Sequence, residues 1–217
     1  MNTQPPFAVL TGDLIKSRRS DTAAVEAAFD ALRRAATDFG QFRDVDLRFT
    51  RFRGDGWQVL TPAHLVLEAM LFVLARLRAD PSGIETRISA GIGAVEAIGT
   101  ANLSDATGTA FFASGDQLDS ISPKRKLTLG GSGIDAMQVA IIDLAEFITD
   151  GWTAAQAEAV ALSLQHPTHT HDDIAKALGI TRQAVQSRLA GAGLSFFDNA
   201  RHAFMNHDFL STSRKPA

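Results

Sequence analysis

The chain has 217 residues, 45% of them hydrophobic and 21% charged, with a net charge of −3. That length and mix suit one large domain, or a domain with a small added module, around a sizeable core. No cysteine is present, which excludes disulfides and thiolate metal sites and fits a reducing compartment.

The opening stretch, Met1 to Pro6, carries neither the basic nor the apolar region of a signal peptide. Phe7 to Thr11 reads as a buried strand that runs on into Gly12-Asp13-Leu14. A polar, basic connection, Lys16 to Ser20, leads to Asp21, a fitting N-cap. The helix it opens is expected to run to about Asp38, with Val25, Phe29, Leu32 and Ala36 at helical spacing and Gly40 as its stop. Leu47–Phe52 and Trp57–Leu60 form a hairpin around Gly54-Asp55-Gly56. Thr61-Pro62 opens a second helix to about Ala79. Its stretch Leu65–Leu77 comes nearest to a membrane span but is interrupted by Glu68 and Arg76. No membrane partner is expected, and the chain reads as cytoplasmic. Ile84 to Val95 is a further strand, in which Gly91 and Gly93 mark close packing or a bulge. The order β-α-β-β-α-β predicts a ferredoxin-like, split βαβ sheet with two helices on one face. Thr109–Ile121 is weakly helical, and Lys124–Leu129 reads as one more strand.

Gly130-Gly131-Ser132-Gly133 reads as a flexible joint and a domain boundary. The expected division is an α/β (α+β) domain over 1–133, a connecting helix over 134–150 and an all-α domain over 151–217. The connecting helix carries Met137, Val139, Ile141, Ile142, Leu144, Phe147 and Ile148, apolar on more than one face, so it is expected to pack against two neighbours. A homodimer is expected, held through this helix or through the tail helix bearing Phe197 and Phe204. Between them lie three short helices at about 153–165, 171–178 and 182–190.

Two acids stand out because each sits beside glycine at a strand end: Asp13 after Gly12, and Asp55 between Gly54 and Gly56. An Asp-Gly pair is an ordinary hairpin signal. Two such carboxylates brought together can also share a hard cation such as Mg²⁺ or Mn²⁺. A second pattern lies between His171 and Leu189. Ala175 is small where two helices would cross, and Gly179 permits the turn four residues later. Ile174, Leu178, Ile180 and Val185 supply a small core, and Thr181 can cap the second helix. That spacing is a helix-turn-helix pattern and makes DNA the expected partner. Its second helix would offer Arg182, Gln183, Gln186 and Arg188 outward, the first three to base edges and Arg188 to phosphate. Residues 151–217 hold 6 Lys/Arg against 5 Asp/Glu, so local arrangement rather than bulk attraction would bind DNA. The nearby His166, His169 and His171 read as a solvated loop.

Several short motifs, taken in order, resemble the SatD family and through it the nucleotidyl-cyclase and GGDEF superfamily with a palm-like core. They are Leu10-Thr11-Gly12-Asp13-Leu14-Ile15-Lys16-Ser17-Arg18, Arg53-Gly54-Asp55-Gly56, Arg87-Ile88-Ser89-Ala90-Gly91-Ile92-Gly93 and Asp105-Ala106-Thr107-Gly108-Thr109-Ala110-Phe111. The Trp152-Thr153-Ala154-Ala155-Gln156 start and the helix-turn-helix resemble the C-terminal part of SatD-type proteins. The resemblance implies a cyclase-type domain in which Asp13 and Asp55 hold divalent ions against a nucleotide. Gly12, Leu14, Lys16, Arg18 and Gly54 would then form the nucleotide-binding set. Active cyclases also carry an Asn and an Arg one turn apart on a late helix, and Phe111–Asp119 has neither. The expected function is thus a DNA-binding transcriptional regulator with a nucleotide-sensing N-terminal half. The alternatives are a two-metal nucleotidyl cyclase or transferase, and a protein-interaction module.

Overall fold

A computed structural model describes residues 5–52, 54–99 and 102–210. Arg53, part of the hairpin motif, and the ends 1–4 and 211–217 lie outside the described residues. The elements run β1 (Phe7–Leu14), α1 (Thr22–Arg43), β2 (Arg48–Phe52), β3 (Gly56–Pro62), α2 (Val66–Ala79), β4 (Thr86–Gly93), α3 (Thr109–Ser120) and β5 (Leu127–Gly131). Five helices follow: α4 (Ala136–Asp150), α5 (Ala154–Gln165), α6 (His171–Leu178), α7 (Arg182–Gly191) and α8 (Phe197–Met205).

The sheet order is β2-β3-β1-β4-β5. The first four strands pair antiparallel, as a split βαβ unit requires, and β5 joins parallel to β4 after the α3 crossover. Strand alternation gives the sheet two apolar faces. Ala8, Leu10 and Leu14 of β1 join Trp57 and Val59 of β3 beneath α1 and α2. Val9 and Leu60 point the other way and meet Ala110 of α3, with Val95 and Leu103. Two helices on one face is therefore correct for α1 and α2, but the opposite face is also covered. Gly91 and Gly93 are the reason α3 can lie so close. A side chain at Gly91 would run into the backbone of Ala110, Ala113 and Ser114.

Helix α1 passes through Gly40, where the sequence suggested a stop, and ends at Asp44 in the left-handed region (φ 52°). Tertiary packing overrides the glycine: Phe39, Phe42 and Phe72 form a ring cluster with centroids 5.0–5.8 Å apart. In the second helix the expected start at Thr61-Pro62 is still strand, and the α-helix begins at Val66.

Helix α2 is buried on nearly every side, because the sheet and α1 cover part of it and α5 covers the rest. Helix α5 meets it with Ala157, Val160 and Ala161, small side chains that let two helix backbones approach. The core thus runs without a break from the sheet into the C-terminal helices. The glycine run at 130–133 is pinned. Gly131 (φ 107°) packs on the Ile92 backbone and Gly133 (φ 69°) on that of Phe209, so neither tolerates a side chain. Among the described residues no helix is long and apolar enough to cross a membrane.

Candidate functional site

Strand β1 ends at the mouth of an open cleft of about 610 Å³. Its walls are the β1–α1 connection, the β2–β3 turn, the start of β4 and the loop before β5. Asp13, Leu14, Lys16, Arg18 and Asp55 all line it, so the structure brings together most of the expected nucleotide and metal residues. Gly12 and Gly54 have other tasks. Gly12 lies under the indole of Trp57, and a Cβ there would strike that ring and stand 2.6 Å from the Arg87 carbonyl. Gly54 adopts φ 76° in the turn and accepts hydrogen bonds at its carbonyl from Arg51.

Asp13 and Arg87 are register partners on neighbouring strands, on the face that carries Thr11, whose hydroxyl hydrogen-bonds with that of Ser114 on α3. Arg87 takes both carboxylate oxygens of Asp13: its Nε donates to Oδ1 at 2.9 Å and its Nη2 to Oδ2. The hydrogen bonds to Asp13, with the charges of Asp13 and Asp55 behind them, hold the Arg87 guanidinium above its ordinary pKa despite partial burial. Asp55 is engaged too. Its Oδ2 accepts from Ser17 Oγ at 3.0 Å, and its backbone carbonyl accepts from the Leu14 amide at 3.0 Å. These bonds fix the short 3-10 turn Ser17–Arg19, which follows Lys16 in the left-handed region (φ 61°).

Sequence reading named Lys16 and Arg18 beside the acids but missed the cations of β4 and of the loop before β5. Seven cationic side chains line the cleft against three acidic ones, in a chain whose net charge is −3. Arg125 is held by Asp143 and Glu146 of α4, and Lys126 by Glu85 and Asp150. Among the described residues Lys16, Arg18, Arg19 and Lys124 have no ion-pair partner. They come from loops 16–19 and 121–126, far apart in sequence, and only the parallel β4–β5 pairing puts the two loops at one end of the sheet.

This donor set does not fit a resident divalent ion. A two-metal site needs carboxylate oxygens free to ligate. Both oxygens of Asp13 are taken by a guanidinium, Asp55 accepts from Ser17, and Glu85, the third acid of the lining, is held by Arg78 and Lys126. Among the described residues no three His, Asp or Glu side chains form a metal-holding group. That includes the histidine loop, where the His166 and His169 rings stack at 4.3 Å.

At the other end of the molecule, α5, α6 and α7 pack around Ile174, Ala175, Val185 and Leu189. Thr170 caps α6 in a reciprocal box with Asp173, whose carboxyl these hydrogen bonds hold below its ordinary range. Gly179 (φ 65°) closes the turn, and the Thr181 hydroxyl accepts from the Ala184 amide to cap α7. Arg182, Gln183 and Gln186 are exposed on α7. Arg182 has a loose contact, 3.5 Å, with Asp172. Arg188 differs from expectation. It turns back to Glu158 of α5 at 3.2 Å and is only 26% exposed, because α7 packs on α5 along that side.

Helix α4 presents a third feature. Ile142, Ala145 and Thr149 face inward, while Met137, Leu144 and Phe147 are 64–82% exposed. The helix packs on β5, α2 and α8, and among the described residues this outer face is left uncovered.

No family model matches the chain, and no curated protein matches it. Among solved structures, the catalytic core of a rhodopsin-guanylyl cyclase with converted specificity, in complex with ATPαS, is similar at 12% identity. The alignment covers 59% of this chain and 77% of that one, with a TM-score of 0.40. A likeness this slight decides nothing about ligand or reaction.

Proposed function

We propose that the chain is a cytoplasmic DNA-binding regulator of SatD type, with α7 as its reading helix and the cleft of the α/β half as its ligand site. The observation that carries this reading is the outward set on α7. Arg182 and Gln183 stand in its first turn and Gln186 lies one turn beyond Arg182, all exposed over a buried Val185 and Leu189. Gln and Arg side chains match the donor and acceptor pattern of base edges. Arg188 braces α7 against α5 rather than reaching outward. The test is selection of fragmented genomic DNA by the purified protein, followed by titration of any enriched site at several salt concentrations. Gln183→Ala or Gln186→Ala is expected to cost about 1–3 kcal/mol at one base position and relax specificity there. No enrichment, with binding unchanged in both variants, would sink the reading.

A regulator that reads a two-fold site needs two heads. The outer face of α4 fits a second copy of the same helix. Met137 and Leu144 are seven residues apart, as are Ala140 and Phe147, all exposed, which is the spacing of a helix pair. The nearby acids Asp143 and Glu146 are already held by Arg125. Light scattering at micromolar concentration is expected to give a dimer, and Leu144→Glu with Phe147→Glu a monomer of unchanged fold. A monomeric wild type would refute this part.

A further inference from the structure

We infer that the cleft takes a compact polyphosphate group and holds it with protein cations alone, without a divalent ion. The inference rests on the cleft being the ligand site of the proposed regulator but not on DNA binding. Its first support is charge. Lys16, Arg18, Arg19 and Lys124 line one concavity without an ion-pair partner among the described residues, and Arg87, paired with Asp13, stands at its base. Converging cations in a cleft attract and orient anions, and guanidinium forks suit phosphate oxygens.

The second support is what the acids do. In a two-metal site Asp13 and Asp55 would face the ligand through cations. Here each holds part of the basic wall in place. Asp13 fixes the plane and direction of the Arg87 guanidinium through both its oxygens. Asp55 accepts from Ser17 and so anchors the turn that carries Arg18 and Arg19. Replacing Asp13 by Asn, which keeps one acceptor for Arg87 and removes the charge, should therefore act in opposite directions under the two schemes. A metal site loses its ligand, whereas a cationic site loses a competing negative charge.

The third support is the shape and lining. A cleft of about 610 Å³ is sized for a small ligand rather than for a duplex. Among the described residues no aromatic ring lines it, and Leu14, Ile15 and Pro123 are its apolar residues. A nucleobase would have no stacking platform, so recognition falls on the phosphate chain. A nucleoside triphosphate and bare tripolyphosphate are then expected to bind alike.

The experiment is calorimetric titration of the full chain with sodium tripolyphosphate, and separately with ATP, in EDTA and in excess Mg²⁺. The expected result is binding in EDTA, equal or weaker in Mg²⁺, with the two ligands within a few-fold of each other. Arg18→Ala and Lys124→Ala, both at exposed positions, should each weaken binding about tenfold or more, since each removes a charge-assisted contact. Asp13→Asn should bind tripolyphosphate as tightly as the wild type or more tightly. Binding that needs Mg²⁺, binding abolished by Asp13→Asn, binding indifferent to both charge removals, or no binding in either buffer would each overturn the inference. The DNA selection above is unaffected by any of these results, so the two readings fail separately.

Discussion

Replacing Glu68 by Ala is expected to destabilise the protein by about 3–5 kcal/mol. Glu68 is a charged residue in the first turn of α2, and it is 2% exposed. Two arginines meet it from different elements. Arg43, at the end of α1, donates from Nε to Oε1 at 2.9 Å, and Arg201 of α8 brings Nη2 to 3.1 Å from Oε2. Those arginines are themselves only 21% and 18% exposed. Deleting the carboxylate leaves two guanidinium groups facing each other in a poorly hydrated place, which is the costly way to break a buried ion pair. The pair Asp30–Arg33 is the control. Both partners are more than half exposed, so Asp30→Ala is expected to cost no more than about 1 kcal/mol. Urea unfolding of both variants measures the contrast. A Glu68→Ala midpoint as close to wild type as that of Asp30→Ala would show that the triad does not hold α8 to the core.

Trp57→Ala is expected to cost about 3–5 kcal/mol, since the indole is fully buried and its removal leaves a cavity between β1, β4 and the α1–α2 layer. The ring also shapes the cleft from behind. Its Nε1–H donates to Thr86 Oγ1 at 2.9 Å, and that hydroxyl lies 2.8 Å from the Asp13 carbonyl. Gly12 is glycine because the ring crosses it. Gly12→Ala alone is expected to cost about 1–3 kcal/mol through overpacking. In the Trp57→Ala background the clash with the ring is gone and only the Arg87 carbonyl still crowds the new methyl group, so the same change should cost less. A double-mutant cycle reads this directly, and additive effects would mean that ring and glycine do not interact.

The glycine beside Asp13 looked like part of a ligand site in the sequence. Its task is to make room for a tryptophan that lies 45 residues further along the chain. The other glycines divide in the same way. Gly179 and its neighbours, Thr181 included, could be read locally, because a cap and a left-handed turn depend on residues a few positions apart. Gly40 and the run at 130–133 could not, because what holds them comes from Phe72 of α2, packed on Phe39 and Phe42, from Ile92 of β4, from Gln117 of α3 and from Phe209.

The same division runs through the whole chain. Element order, the strand–helix alternation, the cap of α7 and the outward residues at the start of α7 follow from periodicity and short-range hydrogen bonding, so they were legible from the residues alone. The split βαβ order was legible for the same reason. Tertiary structure alone decided that α3 closes the second face of the sheet, and that α5 buries α2 in a core shared with the C-terminal helices. It alone paired Arg188 with Glu158 at the surface and placed Arg87 on Asp13. It also collected unpaired cations from loops 16–19 and 121–126 at one end of the sheet. The reason is physical: charge pairing and burial act through space over a few ångströms, and the partners here stand 74 residues apart for Asp13 and Arg87 and 25 for Glu68 and Arg43. No local pattern of residues carries information about which of them the sheet will make neighbours.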